Sequence, residues 1–201
     1  MKTVLVTGLI GSGKSAVTRL LSGRGIPVYN SDERTKQLYK RSPSLVSRLE
    51  QALGTPLRGE DGSLDKARLS ALIFSNPEAR VTLEGIVYPV LLQSFKRWRR
   101  RQKGAPFVVM ESAIALSKPL FRNLPDAVVL VTAPRELRLQ RVMSRSGLSR
   151  EEVLARMSAQ TVPEEEASVI LDNSGSLEEL SRQVDAVFFQ ENSYLCKLLK
   201  K

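Results

Sequence analysis

Eight residues near the amino terminus, Gly8-Leu9-Ile10-Gly11-Ser12-Gly13-Lys14-Ser15, constrain this chain more than any other stretch. They fit the pattern G-x-x-x-x-G-K-[ST], a loop that wraps phosphate groups. Gly8, Gly11 and Gly13 let the backbone approach a ligand closely and take up positive φ. Consecutive N–H groups, from Ile10 and Ser12 through Ser15 to Ala16, then turn inward and cradle phosphate oxygens. A helix opening near Lys14 adds its positive dipole end. In such a loop the lysine, here Lys14, bridges the β- and γ-phosphates, and the hydroxyl of Ser15 is offered to a magnesium ion. The flanks agree. Thr3 to Thr7 is short, apolar and β-branched, as a buried strand is. Val17, Leu20 and Leu21 stand at i, i+3 and i+4, one face of a helix. A mere flexible glycine turn would need neither flank.

Further along, Ile26 to Tyr29 reads as a second short strand, ending at Asn30-Ser31-Asp32. Residues 33 to about 104 read as helices, interrupted at Ser42-Pro43, around Gly54-Thr55-Pro56 and at Asn76-Pro77. The last of them, from about Glu78 to Lys103, contains Pro89 and is expected to kink there. Strand signals return at Phe107 to Met110, Ala127 to Val131 and Ser168 to Leu171. The first two are unbroken apolar runs, which suit parallel strands covered on both faces. Ser149-Arg150-Glu151-Glu152 and Ser176-Leu177-Glu178-Glu179 are capping boxes. Cys196 to Lys201 reads as a loose basic tail. Strands alternating with helices predict an α/β domain with a parallel sheet. With the loop, the expected fold is the three-layer P-loop NTPase fold, in one domain of 201 residues. Its core would be about 1–32, 105–135 and 160–190. A helical insertion at about 33–104 would cover the substrate, and 136–159 would form a small helical lid.

Composition removes several chemistries. There is no histidine, which excludes Ser-His-Asp and Cys-His catalysis and histidine metal sites. One cysteine cannot form an internal disulfide. A metal is then a hard cation held by oxygen, such as magnesium. No apolar run reaches membrane-spanning length, and the apolar stretch before Gly8 is too short for a signal core, so a cytoplasmic protein is expected. The net charge is +10, with a dense cluster from Lys96 to Lys103. That cluster reads first as a solvated helix end, and otherwise as a surface for anions.

Beyond the loop, three further stretches carry a resemblance. Gly25-Ile26-Pro27-Val28-Tyr29-Asn30-Ser31-Asp32 is similar to a "G-x-P-V-I-D-A-D" pattern. Ile73-Phe74, then Leu83-Glu84-Gly85-Ile86-Val87-Tyr88-Pro89, is similar to "I-F … L-E-x-I-x-H-P". Arg141, Arg145, Gly147, Leu148, Ser149, Arg156 and Gln160 follow "R-x-x-x-R-x-G-L-S … R-x-x-x-Q". Together, over about residues 3 to 185, the chain resembles dephospho-CoA kinases, which use ATP and magnesium to phosphorylate the 3′-hydroxyl of the dephospho-CoA ribose. It departs from them at three places. Asn30 stands where the first aspartate of D-A-D usually sits, Tyr88 replaces histidine before proline, and Glu111-Ser112-Ala113-Ile114 replaces "D-x-P-L-L". The resemblance assigns Arg141 and Arg145 to the phosphates, Asn173 to the neighbourhood of the adenine, and Tyr88 to the acceptor.

Chemistry nominates the same region. An alcohol attacking a phosphoryl group needs a proton acceptor, and Asp32, just past the second strand, is the candidate base; it could also cap the next helix. Glu111 ends the third strand, placed to hold a metal-bound water or the substrate, or else to be an ordinary strand-end acid. Arg138, Arg141 and Arg145 share one helix face that can cover developing charge; a solvated basic face is the plain alternative. Arg80 is a weaker candidate for substrate contact. Two other functions remain open: a kinase for a nucleoside monophosphate or a sugar acid, and a nucleotide-regulated nucleic-acid-binding module. Trp98 is the only aromatic in the basic cluster, which disfavours nucleic acid as a partner. The sequence does not give the oligomeric state.

Overall fold

The computed structural model describes residues 1–200. It divides into two compact units, residues 1–30 with 102–201, and residues 31–101.

The first unit is built on a parallel sheet of β1 (Lys2–Thr7), β2 (Val28–Asn30), β3 (Phe107–Glu111), β4 (Ala127–Thr132) and β5 (Val169–Asp172), in the order β2-β3-β1-β4-β5. Register pairs Val6 with Glu111 and Asn30 with Glu111, so three strands bring their carboxyl ends together beside the phosphate loop. β1 and β4 are apolar at successive positions because both sheet faces are covered: Val4, Val6, Val109 and Val129 are buried, and so are Leu5, Met110 and Leu130. α1 (Lys14–Gly23) lays Val17 and Leu21 on the first of these faces, and α9 (Leu177–Phe188) adds Leu180, Val184 and Phe188. α6 (Pro119–Arg122) precedes β4. α7 (Arg135–Ser146) and α8 (Arg150–Ser158) form a hairpin with its own cluster, Leu139, Val142, Val153 and Met157. Gly147 ends α7 in the left-handed conformation, and Ser149 opens α8 through a capping box with Glu152. Ser176 and Glu179 close the second expected box, on α9.

One expectation fails here. The tail is not loose: α10 (Tyr194–Lys200) is helical, and Leu195 is fully buried in the sheet-side core with Leu198 and Leu199 packed against it. Apolar side chains at i, i+3 and i+4 dock the segment despite its terminal position. Lys201 lies outside the described residues.

The second unit is helical. It contains α2 (Ser31–Arg41), α3 (Pro43–Leu53), α4 (Lys66–Ser75) and α5 (Pro77–Arg100). Ser42-Pro43 and Asn76-Pro77 separate the helices as expected, each proline standing at a first helical position where its missing N–H costs nothing. Asn76 caps α5 by accepting from the N–H groups of Glu78 and Ala79, at 2.9 and 3.1 Å. α5 runs on through Pro89 as one helix to Arg100. Leu49, Leu57, Leu69, Leu83 and Val87 form this unit's core. Among the described residues, no helix is long and apolar enough to cross a membrane.

Candidate active site

The loop between β1 and α1 has the backbone its glycines require. Gly11 has φ 80°, and a Cβ there would lie 2.5 Å from the carbonyl oxygen of Arg138. Gly13 has φ 101°, and a Cβ there would lie 1.8 Å from Asn173 Nδ2. Both positions therefore need positive φ and a bare Cα. Asn173, buried at the end of β5, donates from Nδ2 to the carbonyl of Ser12 at 2.8 Å. It acts on the phosphate loop itself, holding its backbone from behind. Lys14 rests across the loop, donating to the carbonyls of Gly8 (2.9 Å) and Leu9 (3.2 Å). Ala16, in the first turn of α1, bonds back to the Gly13 carbonyl.

Glu111 is the centre of the polar network. It is 7% exposed, and three donors reach its carboxylate: Ser15 Oγ on Oε1 at 2.7 Å, and Thr18 Oγ1 and Asn30 Nδ2 on Oε2 at 2.8 and 3.0 Å. A carboxylate collecting donors in this way is fixed in position. Ser15 and Glu111 were each singled out by the sequence, though not as partners of one another. Thr18 and Asn30 were not singled out for it, and nothing local in the sequence marks them. Thr18 falls one turn beyond Ser15 on the same helix face, which is the only signal available.

The α7–α8 hairpin is tied to the loop at two points. The N–H of Ile10 donates to Gln160 Oε1 at 2.7 Å, and the Ile10 side chain packs on the hairpin's apolar cluster. The Arg138 backbone lies against Gly11, and its Nε donates to the carbonyl of Ala133 at 3.1 Å. Ile10 is thus committed to the hairpin rather than turned to a ligand.

The three arginines separate. Burial and the neighbouring Arg135 pull the Arg138 pKa down, and its backbone closes against Gly11. Arg141 holds a buried Nη1 without a partner among the described residues. Arg145 is exposed at the end of α7. Across the hairpin Glu136 pairs with Arg150 at 3.0 Å, which lowers the glutamate's pKa.

Ser12 Oγ and Thr7 Oγ1 are the other buried polar atoms without partners among the described residues. Ser12 borders a cavity of about 130 Å³ that Leu9, Thr132, Arg138 and Glu164 also line. Buried polar atoms in this state ask for a polar ligand or water. No group of three or more acidic, histidine or cysteine side chains gathers here or elsewhere among the described residues. The oxygen set that does exist, Ser15 Oγ beside Glu111, fits a hard cation whose remaining ligands are waters and phosphate oxygens.

In the helical unit, Asp32 and Glu33 form the acidic first turn of α2. Asp32 is exposed and lies inside that turn, not at its cap, two residues past the Asn30 that pairs with Glu111. Tyr88 on α5 is bonded to Glu84, and both burial and that carboxylate push its pKa up. Burial raises Tyr39 on α2 to about 12. Both tyrosines are therefore neutral phenols at ordinary pH. Arg80 lies exposed two turns before Tyr88 on the same helix.

A family model described as dephospho-CoA kinase matches residues 2–179. The chain is 37% identical over 190 residues to a dephospho-CoA kinase of Deinococcus radiodurans, covering 92% of this chain and 90% of that one. It is 41% identical over 188 residues to a dephospho-CoA kinase of Thermus thermophilus, covering 90% and 88%. Among solved structures it resembles the Thermus thermophilus protein TT1252, with TM-score 0.80, 39% identity and coverage of 93% and 96%.

Proposed function

The chain belongs to the dephospho-CoA kinase family, and on that premise we propose that Asp32 activates the ribose 3′-hydroxyl of dephospho-CoA for attack on the γ-phosphoryl group of ATP. Transfer of that group yields coenzyme A and ADP. The observation that carries the reading is the meeting of the phosphate loop with a strand-end carboxylate, Ser15 Oγ on Glu111 Oε1 at 2.7 Å. A nucleoside triphosphate brings its phosphates to the loop N–H groups and the helix dipole of α1. Lys14, now resting on two loop carbonyls, turns to the phosphates when they arrive, exchanging neutral acceptors for charged ones. Magnesium, when bound, neutralises the developing charge on the transferred group. Ser15 would hold it directly and Glu111 through water. Arg141 offers its unpartnered Nη1 to the same charge, with Arg145 beyond it. The α7–α8 hairpin serves as the lid, and Tyr88 meets the acceptor as a neutral hydrogen-bond donor.

The test is ADP release with magnesium, comparing dephospho-CoA, AMP, CMP and gluconate as acceptors. Turnover with dephospho-CoA alone is expected. Asp32→Asn should then lower kcat by about 10²–10⁴-fold. A near-normal rate would remove Asp32 as the base, and turnover with another acceptor would overturn the substrate.

A further inference from the structure

Helix α1 buries three side chains, Val17, Thr18 and Leu21. Val17 and Leu21 join the apolar core of the sheet unit. Thr18 is buried too, 4% exposed, but it carries a hydroxyl. A threonine in a helix commonly turns that group to the carbonyl one turn back. Thr18 instead sends its proton to Glu111 Oε2, 2.8 Å away and 93 residues later in the chain. A buried hydroxyl costs stability unless it is bonded, and valine would fill about the same space without that cost. The polar choice at position 18 is therefore explained by Glu111 and not by packing.

The two oxygens of Glu111 are held differently. Oε2 takes Thr18 Oγ1 and Asn30 Nδ2, donors from α1 and β2, on the buried side of the carboxylate. Oε1 takes Ser15 Oγ at 2.7 Å, and Ser15 is exposed in the first turn of α1. Two donors converging on Oε2 from separate elements fix the plane of the carboxylate. Oε1 is thereby set on the side of the phosphate loop. A serine that donates its one proton to Oε1 turns its lone pairs elsewhere, where a cation can use them.

We propose that Thr18 is a positioning residue for the magnesium of ATP: with Asn30 it anchors Oε2 of Glu111, which makes Oε1 and Ser15 Oγ a rigid pair that selects magnesium over a larger cation. The inference rests on the reading above, in which Ser15 and Glu111 hold that ion. Magnesium demands near-ideal octahedral geometry, whereas calcium accepts a flexible set of oxygens. A carboxylate released on its buried side therefore serves calcium about as well as before and magnesium less well. Groups that orient the ligands of a metal typically change its affinity by about tenfold or more.

The test is calorimetry on the full-length protein with β,γ-imido-ATP, protein in excess and no acceptor present, titrated with Mg²⁺ and separately with Ca²⁺. Thr18→Val should weaken Mg²⁺ binding by about tenfold and Ca²⁺ binding by less than about twofold. Thr18→Ser returns the hydroxyl and should restore the parent's ratio of the two affinities. An unchanged ratio in Thr18→Val, or an equal loss of both cations, would overturn the positioning role and leave the bond as a tie between α1 and β3. A second measurement needs no metal. In denaturant unfolding of the metal-free protein, Thr18→Val and Glu111→Ala should be non-additive, because each deletes the same bond. Strict additivity would show that the two side chains do not meet, and would overturn the inference. If the unmodified protein does not turn over dephospho-CoA, the reading of the acceptor has failed, while the titrations, which contain no acceptor, still decide Thr18. Absence of Mg²⁺ binding by the unmodified protein with its nucleotide would remove the Ser15–Glu111 site and the role of Thr18 with it.

Discussion

Exchanging Asn30 for aspartate replaces one nitrogen by oxygen with almost no change of volume, yet the structure makes it costly. Asn30 Nδ2 donates to Glu111 Oε2 at 3.0 Å, inside a network where Ser15 and Thr18 already supply hydroxyl donors. Asn30→Asp replaces that donor with a second carboxylate. At 3.0 Å and an effective dielectric near 20, two unit charges repel by about 5 kcal/mol. Backing off to about 4.5 Å leaves about 4 kcal/mol. Repulsion of that size raises the pair's second deprotonation above the usual carboxylate range. The sign follows from linkage. Here an acid's folded pKa is raised above its unfolded value, so the folded variant keeps a proton that the unfolded chain gives up. Its stability relative to the parent then falls as pH rises from the ordinary carboxylate range to that raised value, and is flat above. Denaturant unfolding of both proteins, repeated from pH 5.5 to 8, should show the deficit growing with pH, at a slope of up to about 1.4 kcal/mol per pH unit. A deficit independent of pH would refute the claim that position 30 faces Glu111 as a donor.

Two further substitutions test the parts that carry the site. Gly13→Ala would force a side chain into a left-handed backbone, 1.8 Å from Asn173 Nδ2. It should cost about 2–4 kcal/mol by backbone strain and loss of the bond to Ser12, and abolish stabilisation by ATP in thermal shift; retained stabilisation would mean the loop does not need that approach. Leu195→Ala empties a fully buried position on α10 and should destabilise the protein by about 2–5 kcal/mol in chemical denaturation; a change near zero would restore the loose tail.

What the sequence discloses depends on how far apart the partners lie. The phosphate loop is legible because eight consecutive residues satisfy one geometric demand, and the capping boxes because serine and glutamate sit three apart. The strands of the sheet are legible because burial on both faces leaves an unbroken apolar run. Glu111 stands out at a strand end, but its donors Thr18 and Asn30 are 93 and 81 residues away in sequence, so no local pattern joins them. Asn173, placed near the adenine by resemblance, is brought by the fold against Ser12, 161 positions earlier, which no local pattern shows. The tail was misjudged for a different reason. Leu195, Leu198 and Leu199 have helical spacing, but only the buried cluster that includes Phe107, Val184 and Phe188 gives them something to pack on.

The same distance rule explains the departures from the family pattern. Read singly, Asn30 is a lost carboxylate and Glu111 a lengthened one. Read as neighbours 3.0 Å apart, they are one exchange. The longer side chain at 111 carries its charge as far as position 30, and an amide there turns repulsion into a hydrogen bond. The carboxylate that remains is held by Ser15, Thr18 and Asn30 together. It follows that the two positions should behave as a coupled pair. Asn30→Asp combined with Glu111→Asp, which draws the second charge back by one methylene, should recover part of the stability lost at pH 8 by Asn30→Asp alone. Strict additivity of the two substitutions would show that they are independent.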